Sequence, residues 1–124
     1  MLACGDCFLA GAEEDEKLHL RIVATPPAAD GCVVVVSVTT RHRRSETLVI
    51  LQPGDHPFIR HESTVAYRYA EISWVDNIEA AIASGNAKRR EPIAGDLLRR
   101  IQAGLLDSEF TPNGVIHFAR EVLR

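Results

Sequence analysis

Cys32-Val33-Val34-Val35-Val36-Ser37-Val38-Thr39 is the stretch on which the fold turns. Val and Thr are branched at Cβ, which restricts χ1 and favours pleated backbone. A run that is apolar at consecutive positions is a strand buried on both faces, at the centre of a sheet. It is also far too short to cross a bilayer as a helix. Before it, Thr25-Pro26-Pro27-Ala28-Ala29-Asp30-Gly31 is a turn, because two prolines and an Asp-Gly pair cannot continue a ladder. Leu18–Ala24 then alternates, with Leu18, Leu20, Ile22 and Ala24 on one face and His19, Arg21 and Val23 on the other. Asp6–Ala10 reads as a short strand, joined to it by a polar loop over Gly11–Lys17. After the central run come a basic loop, Thr40–Glu46, and a further strand, Thr47–Leu51. A Pro-Gly turn in Gln52-Pro53-Gly54-Asp55-His56-Pro57 follows. Thr64–Trp74 alternates again, with Val65, Tyr67 and Tyr69 opposite Ala66, Arg68 and Ala70.

The period then changes from two to that of a helix. Asp76–Ser84 is alanine-rich, sets Ile78 and Ile82 on one face, and ends at Gly85 in the usual C-terminal capping position. Asp96–Leu106 aligns Leu97, Leu98, Ile101 and Leu105. Thr111-Pro112 reads as an N-cap with proline at the first helical position, ahead of a stripe of Val115, Phe118, Ala119 and Val122. Strands first and helices after, without βαβ alternation, give the α+β class. The expected architecture is a small antiparallel curled sheet or barrel of five to six strands with helices packed on one side. The 124 residues fit a single domain, 1–124.

Charge is unevenly placed. The net charge is −3, which excludes a histone-like, strongly basic binder. Residues 1–40 carry the acidic run Glu13-Glu14-Asp15-Glu16, whereas residues 41–69 hold Arg41, Arg43, Arg44, Arg60 and Arg68 with His42, His56 and His61. An acidic chain of this kind can still present one positive face. No basic, long apolar leader is visible, and three cysteines is an odd count, so a reducing cytoplasm is expected rather than a disulfide scaffold.

Three groups of residues could carry chemistry. Cys4-Gly5-Asp6-Cys7 has metal or redox spacing, but no second pair completes a four-ligand site, and Cys32 reads as a core residue. His56 and His61, with Asp55 and Glu62, are the densest set of potential ligands and keep a metalloprotein as one alternative. Gly-x-Ser-x-Gly, phosphate-loop and dinucleotide motifs are all missing, so no cofactor is expected. The third group lies on the polar side of the sheet: His19, Arg21 and Thr39. Imidazole transfers protons near neutral pH, guanidinium stabilises a phosphorane, and a hydroxyl can hydrogen-bond a phosphate. A ribonuclease that uses its substrate's own 2′-hydroxyl as nucleophile needs no more than this.

The order of elements resembles the MazF/PemK toxin family of small endoribonucleases, which share a barrel with the gyrase poison CcdB. Gly5-Asp6-Cys7-Phe8-Leu9 is similar to the family's opening Gly-Asp strand. His19-Leu20-Arg21-Ile22-Val23 stands where the family has Arg-Pro-x-Leu-Val, and Val36-Ser37-Val38-Thr39-Thr40 resembles the strand ending in Pro-Ile-Thr-Ser. Glu62-Ser63-Thr64-Val65-Ala66-Tyr67 resembles the strand leading into the family's Gln-x-Arg segment. The match covers roughly residues 5–106. The departures fall at the chemistry: His19 replaces the family's arginine before proline, with Arg21 two residues on. Tyr69-Ala70-Glu71 replaces Gln-x-Arg, and Arg68 replaces an acidic residue.

The resemblance implies a metal-independent endoribonuclease-like protein that binds single-stranded RNA, with cleavage as the further step. His19, Arg21 and Thr39 would be its catalytic residues, and Arg41, Arg43, Arg44 and Arg68 would follow the RNA backbone. It also implies a homodimer with an isologous interface and an antitoxin-like protein partner, and nothing points to a membrane. Beside the metalloprotein, the other alternative is a non-catalytic protein-interaction module on the same barrel. The Gln52–Phe58 loop has no counterpart in the family pattern.

Overall fold

The valine run forms β3 (Cys32–Thr40) in the computed structural model, which describes residues 1–12 and 15–123. β3 lies inside a six-stranded antiparallel sheet whose other strands are β1 (Cys7–Ala12), β2 (Asp15–Val23), β4 (Ile50–Leu51), β5 (Ser63–Trp74) and β6 (Lys88–Arg90). The sheet is curled and its order is β4-β5-β3-β2-β1-β6. Three helices follow the long strands: α1 (Val75–Ser84), α2 (Gly95–Asp107) and α3 (Asn113–Val122). The α+β class and the curled sheet are as the sequence predicts.

Alternation in the strands produces two cores. Cys7, Leu9, Leu20, Ile22, Val34, Val36 and Val38 point to one face and pack with Leu97, Ile101 and Leu105 of α2 and Val115 and Ala119 of α3. Phe8, Val23, Val33 and Val35 point to the other and pack with Val75 and Ile78 of α1. The helices therefore divide, with α2 and α3 on one face and α1 on the other. The reason lies in β3, which is apolar on both sides and must be covered on both. Beyond the reach of α1 the second face stays open, and there the same strands carry His19 and Thr39.

Four local readings differ from the structure. The hairpin between β1 and β2 is tighter than a loop over Gly11–Lys17, since Ala12 pairs with Asp15 across a register shift. Glu13 and Glu14 of the acidic run lie outside the described residues. The strand expected over Thr47–Leu51 shrinks to Ile50–Leu51, because Glu46 turns inward and engages the backbone of β5 instead of leading into a ladder. α3 begins one residue later than expected: Pro112 is the N-cap, its carbonyl accepting from Ile116 N–H at 3.0 Å, and no side chain caps it. β6 has three residues, two of them exposed and all three basic, so its sequence has no apolar period to read.

The fourth difference bears on function. Along β5 the register with β3 slips between Ser37–Ala66 and Val35–Glu71, so that Tyr67, Arg68, Tyr69 and Ala70 together face the single residue Val36. The bulge breaks the alternation. Tyr67 and Ala70 turn into the core, while Arg68 and Tyr69 turn out together, so Tyr69 does not share a face with Val65 and Tyr67.

Candidate nucleic-acid interface

Register brings the first two site residues together. Arg21 pairs with Ser37 and Leu20 with Val38, and the next residues along the two strands, His19 and Thr39, line the same cleft. Ala10 flanks His19 on one side and Thr64 flanks Thr39 on the other. His19 and Thr39 are both half-buried and line a cleft of about 840 Å³. Lys17, Arg44, Arg60, Arg68 and Arg90 line the same cleft, with His42 and His61. Among the described residues that line it, Glu46 is the one carboxylate, and that group is already committed to Arg68 and to backbone N–H groups. The balance of charge in the cleft is positive inside an acidic chain. Clefts lined by one sign of charge focus the field and draw in ligands of the other sign.

The other expected residues are distributed differently. Arg21 follows His19 on the same face but turns toward Glu71, with which it forms a hydrogen-bonded ion pair, and it lines a separate groove of about 290 Å³ near α1. Arg44 and Arg68 line the main cleft. Arg41 is paired to Glu62 at 2.8 Å, and its backbone N–H donates to the Glu62 carbonyl, so it fastens the basic loop to the start of β5. Arg43 is exposed on that loop. The loop is ordered by its own residues: His42 N–H donates to Ser45 Oγ at 2.9 Å, and Arg44 N–H donates to His42 Nδ1 at 3.3 Å.

Arg60, Arg90, His42, His61 and Lys17 were not singled out for this site by the sequence. Arg90 reaches it from β6, with its guanidinium 5.8 Å from the centroid of the Phe58 ring. A run of three basic residues, Lys88-Arg89-Arg90, was the one signal available for it.

His56 is not part of the cleft chemistry. It is buried, and both ring nitrogens are engaged by the backbone. Phe58 N–H can only donate, so Nδ1 accepts it at 3.0 Å; Nε2 therefore carries the proton and donates to the Glu91 carbonyl at 2.6 Å. A metal at either nitrogen would break one of these bonds, so His56 and His61 do not form a ligand pair. Instead the Gln52–Phe58 loop is held by its own polar groups, including Gln52 N–H to Asp55 Oδ2 at 2.7 Å. Among the described residues no group of three His, Cys, Asp or Glu side chains could hold a metal ion.

The cysteine pair is equally structural. Cys7 lies in the core and burial pushes its thiol up to about 12, so it stays protonated. Cys4 accepts a hydrogen bond from Gln102 Nε2 at 3.4 Å, and burial raises its thiol as well. Low-pKa thiolates are what redox motifs require. No described helix is long and apolar enough to cross a membrane.

No protein-family model matches the sequence, and no curated protein does. Among solved structures, one described as an endoribonuclease in complex with its cognate antitoxin, from Mycobacterial species, shares the fold with a TM-score of 0.59. The superposition covers 90% of this chain and 98% of that one at 16% identity. At that identity the likeness is one of fold, and the side chains of the cleft must be argued on their own chemistry. In fold, this chain is similar to that endoribonuclease.

Proposed function

We propose that this chain binds single-stranded RNA in the His19–Thr39 cleft and cleaves it as a toxin-type endoribonuclease. One observation carries the reading: the His19 imidazole and the Thr39 hydroxyl line one cleft whose walls are rich in arginine. Guanidinium groups hold phosphate oxygens through paired hydrogen bonds. Cleavage would form a bond from the substrate's 2′-oxygen to phosphorus and break the bond from phosphorus to O5′. His19 takes or returns one proton of that exchange, and His42 or His61 on the same cleft supplies the second imidazole. Thr39 hydrogen-bonds the scissile phosphate. The products are a 2′,3′-cyclic phosphate and a 5′-hydroxyl. A homodimer and an antitoxin-like protein that occupies the positive cleft belong to the same reading.

A specific observation favours a second reading. Arg21, the guanidinium expected to hold the scissile phosphate, is already paired with Glu71 outside the main cleft. On this reading the barrel binds RNA and leaves it intact. Incubating the protein with unstructured RNA and resolving the product termini separates the two. A cyclic phosphate end supports cleavage. RNA bound in a salt-dependent way yet recovered whole supports binding alone. Each arginine contact removed should lower the salt slope by about 0.7 to 1, and the absence of any binding at low salt overturns both readings.

A further inference from the structure

The β5 bulge delivers a large aromatic side chain, Tyr69, to the outside of the sheet. Tyr69 is 65% exposed and lines the positive cleft. The backbone that carries it is fixed on both sides. Before it, the Tyr67 ring is fully buried and its hydroxyl donates to the Ile101 carbonyl at 2.9 Å. Arg68 is held by Glu46 and stacks on Phe110, 4.7 Å from the ring centroid. After it, Ala70 turns back into the core. Bulges re-aim side chains, and here the result is an aromatic face presented from a rigid support among cations.

We propose that Tyr69 is a stacking platform for a nucleobase of the bound RNA. This rests on the reading of the cleft as an RNA site and adds a place where a base is held. With phosphates held by Arg44, Arg60 and Arg90, the adjacent base lies against the tyrosine ring. Every base has a π-face, so the platform accepts any of the four, and its contribution is to distinguish a polynucleotide from a bare polyanion. A ring with two side-chain torsions on an anchored backbone has little freedom to lose on binding.

The test measures affinity for labelled 2′-O-methyl oligouridylate, which cannot be cleaved by 2′-oxygen attack, and for an abasic polymer with the same sugar-phosphate chain. Tyr69→Ala should weaken oligouridylate binding by roughly five- to 150-fold, the worth of one stacked base. It should leave abasic-polymer binding and the salt slope unchanged, and Tyr69→Phe should bind like wild type. Because the ring is exposed, thermal midpoints should agree among the three proteins. Equal losses on both polymers, or no loss on either, overturn the platform while leaving the RNA-binding cleft in place. Wild-type protein that binds neither polymer overturns the cleft reading and the platform together.

Discussion

Glu46 meets Arg68 twice through one carboxylate oxygen: Oε2 accepts the Arg68 backbone N–H at 3.1 Å and its Nε at 3.2 Å. The other oxygen accepts the Tyr67 N–H at 3.1 Å. β4 reaches only Ser63 and Thr64 of β5, so the bulge beyond has no strand to pair with on that side. The carboxylate stands in for the missing strand. It also fixes the end of the basic loop, while the Arg41–Glu62 pair fixes its beginning.

Removing that carboxylate should therefore cost stability. The Glu46 side chain is 4% exposed, so Glu46→Ala leaves the two backbone N–H groups of Tyr67 and Arg68, besides Arg68 Nε, without this acceptor, each backbone group worth about 1–3 kcal/mol. Water reaches the half-exposed Arg68 side, which brings the expected loss to roughly 2–4 kcal/mol. Glu46→Gln keeps one good acceptor and should lose about half as much. Urea unfolding of both variants checks the order, and an alanine variant as stable as wild type contradicts it.

Gly104 is required by Tyr67. A Cβ there would run into the Tyr67 hydroxyl, lie 2.8 Å from its Cζ and 2.9 Å from Val49 Cγ2. Gly→Ala in a helix normally gains about 1 kcal/mol. Overpacking at about 1–3 kcal/mol and a disturbed Tyr67–Ile101 bond at about 1 kcal/mol outweigh it. Gly104→Ala should thus destabilise by roughly 1–3 kcal/mol, against its helix propensity. Tyr67→Phe should cost less in the alanine background than alone, because it removes the closest collision. Strict additivity in the double-mutant cycle contradicts the contact.

Acid should weaken the anchor of the basic loop. A hydrogen bond from Gln52, and then one from Arg41, hold the Glu62 carboxyl below its ordinary value of 4.5. A depressed folded value means that the stabilisation is fully present above the ordinary value and is lost as pH falls through the lower one. The difference in thermal midpoint between wild type and Glu62→Gln should be constant near neutral pH and shrink on acidification below about 4.5. A difference that does not change with pH removes Glu62 as the titrating group.

If His19 transfers a proton, His19→Ala should reduce RNA turnover by a factor on the order of 10² to 10⁴. Thr39→Val keeps the β-branch and removes the hydroxyl, so it should lower activity with little change in thermal midpoint. Both are measured on the same RNA by product-terminus analysis. Full activity in either variant excludes that residue from the chemistry.

The sequence determined the class of the fold. The consecutive valines of β3 require cover on both sides, alternation in Leu18–Ala24 defines a half-open neighbour, and the helical stripes follow in order. The same alternation placed His19 and Arg21 on the polar face, because side-chain direction in a regular strand depends only on position along it. The short β6 and the reduced β4 were not legible, since one is wholly basic and the other is limited by where Glu46 turns.

Only the tertiary structure decided which of these residues act together. Where the ladder is regular, Arg21 and Ser37 pair, and His19 and Thr39 line one cleft, but Arg21 turns toward Glu71, fifty residues away. His56 looked like a ligand until Phe58 and Glu91 took both of its nitrogens. Tyr69 shares a face with Val65 and Tyr67 by alternation, but the bulge turns it outward into the arginine-lined cleft. Periodicity reports the side of a strand a residue faces. It carries no information about register slips or partners distant in the chain, and those interactions assemble the site.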